Sequence, residues 1–295
     1  MSKSVRNTLA AYLLLLPALV LFSVFILIPL GYEFMISLSK WNGFGPMSFV
    51  GLRNYTRLFS DPEFYAALSH NVQYAFGTVL VKIVLSFVLA LLLHGAFRGV
   101  TLFRTIMFIP VVLSFVVVGI LWQWIFNPNF GLMNVMLGWL GLNEEMNPIQ
   151  WLGSPHYALI ALMMVDVWKW TGYHAIIFLA GLQGIPKDIY EAASVDGAAR
   201  WRSLWHVTVP LMRPTLLLNV TIAAMGAFNV FDIVYTMTQG GPYKSTSVLL
   251  TMMYDKAFGS SSDYGYGTSI AFALFVIIVI ISAIHIRIVN RSERA

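Results

Sequence analysis

Cysteine is absent from the 295-residue chain, which excludes disulfides, thiolate metal sites and cysteine nucleophiles while leaving the compartment open. Charge is scarce: Asp, Glu, Lys and Arg make up 11% of residues, against roughly a quarter in ordinary soluble domains. No Gly-x-x-x-x-Gly-Lys-Ser/Thr run occurs, so the chain has no phosphate cradle for a nucleotide. His70, His94, His156, His174, His206 and His285 are too scattered for metal-ligand spacing. Paired histidines around a glutamate and the Gly-x-Ser-x-Gly turn are lacking too. No metal site, resident cofactor or catalytic residue is expected.

What the chain has instead is apolar length, 58% of it hydrophobic. A bilayer core about 30 Å thick takes roughly 20 apolar residues per helical span. Six windows meet that length, at about 9–38, 71–95, 104–126, 155–182, 215–236 and 266–285. The expected fold is all-α: a polytopic membrane protein forming one domain over residues 1–295. Basic residues gather on the cytoplasmic side of span ends. Even numbering with both termini inside puts Lys3, Arg6, Arg98, Arg104, Lys187, Arg200, Arg202, Arg213, Arg287, Arg291 and Arg294 there. The outer set is shorter, Lys40, Arg53, Arg57, Lys244 and Lys256, so this orientation is favoured. The net charge of +5 is then topological, and its scatter among loops tells against nucleic-acid binding. The first apolar stretch is about twice the length of a signal-peptide core and lacks a small-x-small cleavage site, so it reads as a retained span.

Turn chemistry punctuates the loops: Trp41-Asn42-Gly43-Phe44-Gly45-Pro46, Asn127-Pro128-Asn129, and Gln239-Gly240-Gly241-Pro242 after span five. Leu132 to Leu142 is apolar enough for a short interfacial helix. Between spans four and five, residues 187–210 read as helix, break, helix. Pro186 suits a first helical turn, and Asp188 and Glu191 favour the positive end of the dipole. Gly197 permits a sharp turn, and Trp201, Leu204, Trp205 and Val207 follow among basic residues up to Val209-Pro210. Such a pair of helices can dock into another protein.

Glu191-Ala192-Ala193, then Gly197, then Val207-x-Val209-Pro210, resembles the EAA loop of the permease subunits of binding-protein-dependent ATP-binding-cassette importers. The family form ends more often in Ile-x-Leu-Pro. Asp166-Val167-Trp168-Lys169, Leu182-Gln183-Gly184-Ile185-Pro186, Trp122 to Gly131 and Thr238-Gln239-Gly240-Gly241-Pro242 are similar to the maltose-type carbohydrate branch. The resemblance spans nearly the whole chain, without the extra helices and external insertion of the larger maltose-transporter subunit. It implies a multi-pass permease of the bacterial cytoplasmic membrane that moves a sugar by alternating access. It implies a second homologous permease, a dimer of ATPase subunits holding ATP and Mg, and an extracytoplasmic solute-binding protein as partners. Glu191, Ala192, Ala193, Asp196 and Gly197 then belong to a cytoplasmic coupling helix seated on the ATPase.

Ionisable residues inside spans are costly and read first as functional. Asp166, Lys169, Trp170 and Tyr173, at i, i+3, i+4 and i+7, share one helix face. Asn229 and Asp232 form a second polar pair on span five. Hydroxyls need directional donors and acceptors and the C–H face of a sugar packs on aromatic rings, so these six residues suit a sugar pathway. The alternative is an Asp166–Lys169 ion pair with Trp170 and Tyr173 packed at the interface. Glu33 and Lys82 read as interfacial, snorkelling residues. Two other functions fit the spans alone: an ion- or proton-coupled carrier titrating Asp166 and Asp232, and a non-transporting scaffold.

Overall fold

The computed structural model describes residues 3–95, 98–142, 148–260 and 262–293; Arg294, counted above in the basic inner set, lies outside them. Two compact units are distinguished: the chain up to Phe64 with Met252–Phe275, and Tyr65–Thr251 with the chain from Val276 onward.

In the first unit, α1 (Lys3–Phe22) runs through a π-turn at Ser23–Leu27 into α2 (Ile28–Ser37). Tyr12–Ser37 presents apolar side chains on all sides with none of its most hydrophobic window buried, as a helix facing lipid would. A small hairpin follows, β1 (Ser39–Lys40) antiparallel to β2 (Ser48–Phe49), with Ser39 opposite Phe49. Its loop turns on Gly43 and Gly45, both at positive φ, and the Trp41 indole N–H donates to Gly45 O at 3.1 Å. Next come α3 (Arg53–Leu58) and the start of α4 (Pro62–His94). Asn54 pins this corner by donating to Ser37 O and Ser39 O, each at 2.9 Å. Arg57 pairs with Asp263 at 2.7 Å and lies 4.0 Å over the Tyr266 ring, and the Tyr266 hydroxyl meets Asp61 at 2.5 Å.

The second unit contains most of α4, then α5 (Val100–Val112), α6 (Phe115–Ile125), α7 (Leu132–Trp139), α8 (Ala158–Gln183), α9 (Lys187–Val195) and α10 (Arg200–Ser203). The chain continues through a π-turn, Leu204–Thr208, into α11 (Val209–Leu211), α12 (Arg213–Phe228) and α13 (Asp232–Met237). Then come α14 (Leu249–Phe258) and α15 (Tyr264–Glu293), which divide between the units. Tyr74, Val118, Phe126, Leu162, Val165 and Val234 centre one buried cluster; Ala90, Phe178, Leu182 and Met212 centre another.

Among the described residues three helices are long and apolar enough to cross a membrane, or five if each of two bent pairs is one span. The third expected span is therefore not straight: α5 and α6 meet at 99°. Leu113 is extended and the Ser114 side chain accepts from Val117 N–H, so the helix stops and is capped anew. The fifth expected span also differs, because α12 ends at Phe228 and α13 restarts at Asp232. Ala158–Gln183, with 26 residues, spans about 39 Å at 1.5 Å per residue but carries Asp166 and Lys169.

Candidate functional site

α8 carries Asp166, Trp170 and Tyr173 on one side, as their i, i+4, i+7 spacing requires. With Asn229 and Asp232, which flank the break between α12 and α13, they line one cavity of about 240 Å³. Phe115 at the start of α6 and His174 line it too. Asn229 and Asp232 are exposed, whereas Asp166 is buried. The break is what brings α12 and α13 to the cavity with polar groups free: Asn229 donates its amide to Met225 O at 2.9 Å, which leaves its side-chain oxygen available.

The sixth candidate, Lys169, faces elsewhere. Its ammonium donates to Pro110 O (3.0 Å), Val111 O (3.2 Å) and Leu113 O (2.6 Å), the carbonyls at the α5–α6 bend. A helix C-terminus leaves its last carbonyls unpaired, and in an apolar medium each must find a donor. Lys169 supplies all three and places a cation at the negative end of the α5 dipole.

Nor do Asp166 and Lys169 pair with each other. The partner of Asp166 is Lys82, whose ammonium lies 2.6 Å from Asp166 Oδ2, with both side chains buried. Lys82 is thus no interfacial residue: it sits 20 residues into α4, about 30 Å from the helix start, and the wall of the same cavity includes it. Its position near the middle of the 71–95 window was the signal, since a lysine there cannot reach water by snorkelling. Two further polar bonds were not visible from spacing. His174 Nδ1 and Asn219 Oδ1 are 2.8 Å apart, tying α8 to α12, and Ser86 Oγ donates to Thr171 O at 2.9 Å, tying α4 to α8.

The second set of candidates sits at the far end of α8. Residues Lys187–Val195 form α9, preceded by Pro186. Gly197 adopts φ +77°, the left-handed turn its lack of a side chain allows, and Ala198 N–H closes back on Ala193 O at 2.9 Å. Glu191, Ala192, Asp196 and Gly197 are exposed and Ala193 is partly so. Tyr190 and Thr208 hydroxyls, 3.2 Å apart, hold α9 against the segment that leads back to α12. Ile189, Val195, Trp201 and Trp205 stand exposed on this pair of helices, Val195 by 87% and Trp201 by 71%.

Comparison with known proteins gives this arrangement a context. Residues 82–294 match the family described as binding-protein-dependent transport system inner membrane component. The chain is 34% identical over 284 residues to the trehalose/maltose transport system permease protein of Thermococcus litoralis, covering 96% of this chain and 94% of that one. It is 33% identical to the lactose transport system permease protein of Rhizobium radiobacter, covering 96% of each. A chain in the crystal structure of a bacterial ABC transporter involved in the import of the acidic polysaccharide alginate has the same fold. Its TM-score is 0.83, at 23% identity over 98% of both chains. The chain accordingly belongs to the binding-protein-dependent transport system inner membrane components, as a membrane transport subunit of an ABC system whose ATP hydrolysis resides on a separate ATPase.

Proposed function

We propose that the chain forms one half of a sugar pathway across the bacterial cytoplasmic membrane, paired with a second permease and fed by an extracytoplasmic solute-binding protein. Relatives named for trehalose/maltose and lactose transport support a sugar as solute. The cavity supports it too, since Phe115, Trp170 and Tyr173 line it together with the amide of Asn229 and the carboxylate of Asp232. Six spans follow if α8 crosses beside the three straight helices and the two bent pairs, with both termini in the cytoplasm by the basic-residue count.

The observation that carries the coupling role is the apolar exposure on α9, α10 and the π-turn after α10. A loop that is charged elsewhere shows Ile189, Val195, Trp201 and Trp205, the composition of a surface made for another protein. On this reading α9, with Glu191, Ala192, Ala193, Asp196 and Gly197, seats in one subunit of an ATPase dimer that binds ATP and Mg. Gly197→Pro tests it: proline fixes φ near −65°, against +77° here, and no span is altered. In proteoliposomes holding the assembled importer, solute-stimulated ATP hydrolysis should fall at least tenfold while membrane insertion persists. Undiminished stimulation would refute the role. A proton-coupled carrier is disfavoured, because Asp166 is committed to Lys82.

A further inference from the structure

Two ammonium groups lie buried beside the cavity, and neither is available to a solute. Lys82 is spent on Asp166 at 2.6 Å, with side-chain exposures of 3% and 8%. An ammonium has three donors, and Lys169 uses all of its own on the carbonyls of Pro110, Val111 and Leu113. The Phe115 and Trp170 rings, 4.8 and 5.4 Å from its nitrogen, belong to the cavity wall, whereas Lys169 does not. Arginine, whose planar fork suits carboxylates and sulfonates, is absent from that wall among the described residues. Lys82 and Asp166 cancel, so the uncompensated charge on the wall is the exposed carboxylate of Asp232.

An anionic sugar would shed its water against this wall, find no free cation and face a like charge at Asp232. An uncharged sugar meets donors, acceptors and ring faces without that penalty. We propose that this chain's wall of the pathway accepts uncharged sugars and excludes anionic ones, with the Lys82–Asp166 pair determining the selectivity by keeping Lys82 neutralised. The inference rests on the reading of this cavity as a sugar site, and it identifies Lys82 as a specificity residue that acts through its partner instead of by direct contact.

The test uses the complete transporter in nanodiscs near neutral pH, with glucose and glucuronate as probes matched in ring and opposite in charge state. Saturation-transfer NMR should show glucose binding in the wild type and at least a tenfold weaker response to glucuronate. In Asp166→Asn the Lys82 ammonium loses its counter-charge, and the glucuronate response should rise at least tenfold relative to glucose. The double variant Lys82→Met with Asp166→Leu buries no unpaired charge and should return to rejecting glucuronate. It also keeps the inference testable if the single variant fails to assemble, because removing one partner of a buried pair is strongly destabilising. Equal responses to both probes in the wild type would overturn the inference. An assembled Asp166→Asn complex that still rejects glucuronate would overturn the role given to the pair. Failure of glucose and glucuronate alike to bind would instead overturn the sugar reading, and the inference with it.

Discussion

Lys169→Met separates a residue that contacts solute from one that holds the fold. In the native chain its ammonium satisfies three carbonyls at a 99° bend, with distances of 2.6 to 3.2 Å. Methionine is of similar length but donates nothing. A buried acceptor left unpaired costs about 1–3 kcal/mol, which would give roughly 3–9 kcal/mol for the three. Against this stands the desolvation of the ammonium, several kcal/mol per buried ion, which methionine does not incur. The balance is a loss of about 2–4 kcal/mol, since the bend can relax and some carbonyls can turn toward one another or toward water. Thermal unfolding of the purified chain in detergent, followed by tryptophan fluorescence, should therefore shift down by about 5 °C or more. Lys169→Gln keeps two N–H donors and should lose less. In transport assays the maximal rate should fall with the amount of folded protein while the KM for solute is unchanged. A Lys169→Met protein that melts within a degree of the wild type and shows a raised KM would refute this account. Lys169 would then belong with Asp166 and Tyr173 in the solute path, as its helical spacing suggested.

Two pairs of substitutions probe how the helices around the cavity pack. Lys82→Met or Asp166→Leu alone should each destabilise the chain by about 3–5 kcal/mol, while the pair together should be close to neutral, a coupling that a double-mutant cycle of melting curves reads directly. Gly172→Ala should cost about 1–3 kcal/mol, because an added Cβ would overlap the Met107 carbonyl where α5 crosses α8, whereas Gly226→Ala, with nothing within 4 Å, should cost nothing; melting of the two variants side by side checks the contrast.

What the sequence disclosed follows from the range of the forces involved. The α9 turn was legible because its causes are local: Pro186 before the first turn, Asp188 in it, and Gly197 where φ must be positive. The bent span was not, although its signals are present in Pro110 and Ser114. A hydropathy window averages over both halves, and a break costs little in apolar content. The same averaging hid the end of α12, where Asn229 and Asp232 bracket a break instead of riding one helix. Spacing put Asp166, Trp170 and Tyr173 on one face, and they line one cavity. It gave Lys169 to that face as well, because the i, i+3 rule knows nothing of three unpaired carbonyls on a neighbouring helix. The partner of Asp166 was a tertiary matter from the start, settled by how α4 lies along α8.

Those polar bonds have a common logic. Between helices in lipid there is little hydrophobic drive, since the surrounding chains are as apolar as leucine, and close packing and hydrogen bonds fix the arrangement instead. α8 collects such bonds along its length: Lys82–Asp166 and Ser86–Thr171 to α4, Lys169 to the α5–α6 bend, His174–Asn219 to α12. Gly172 lets α5 approach to backbone contact, and Gly181 does the same for the Thr215 side chain on α12. Only Gly184, Ile185 and Pro186 separate the end of α8 at Gln183 from the start of α9 at Lys187. On the proposed coupling role, a displacement delivered at α9 therefore meets, within one turn, the helix to which α4, the α5–α6 bend and α12 are fastened by bonds that hydrocarbon cannot replace. Loosening α9 from a partner and loosening α8 from its neighbours should then be told apart by stability, the first sparing it while abolishing coupling, the second lowering both together.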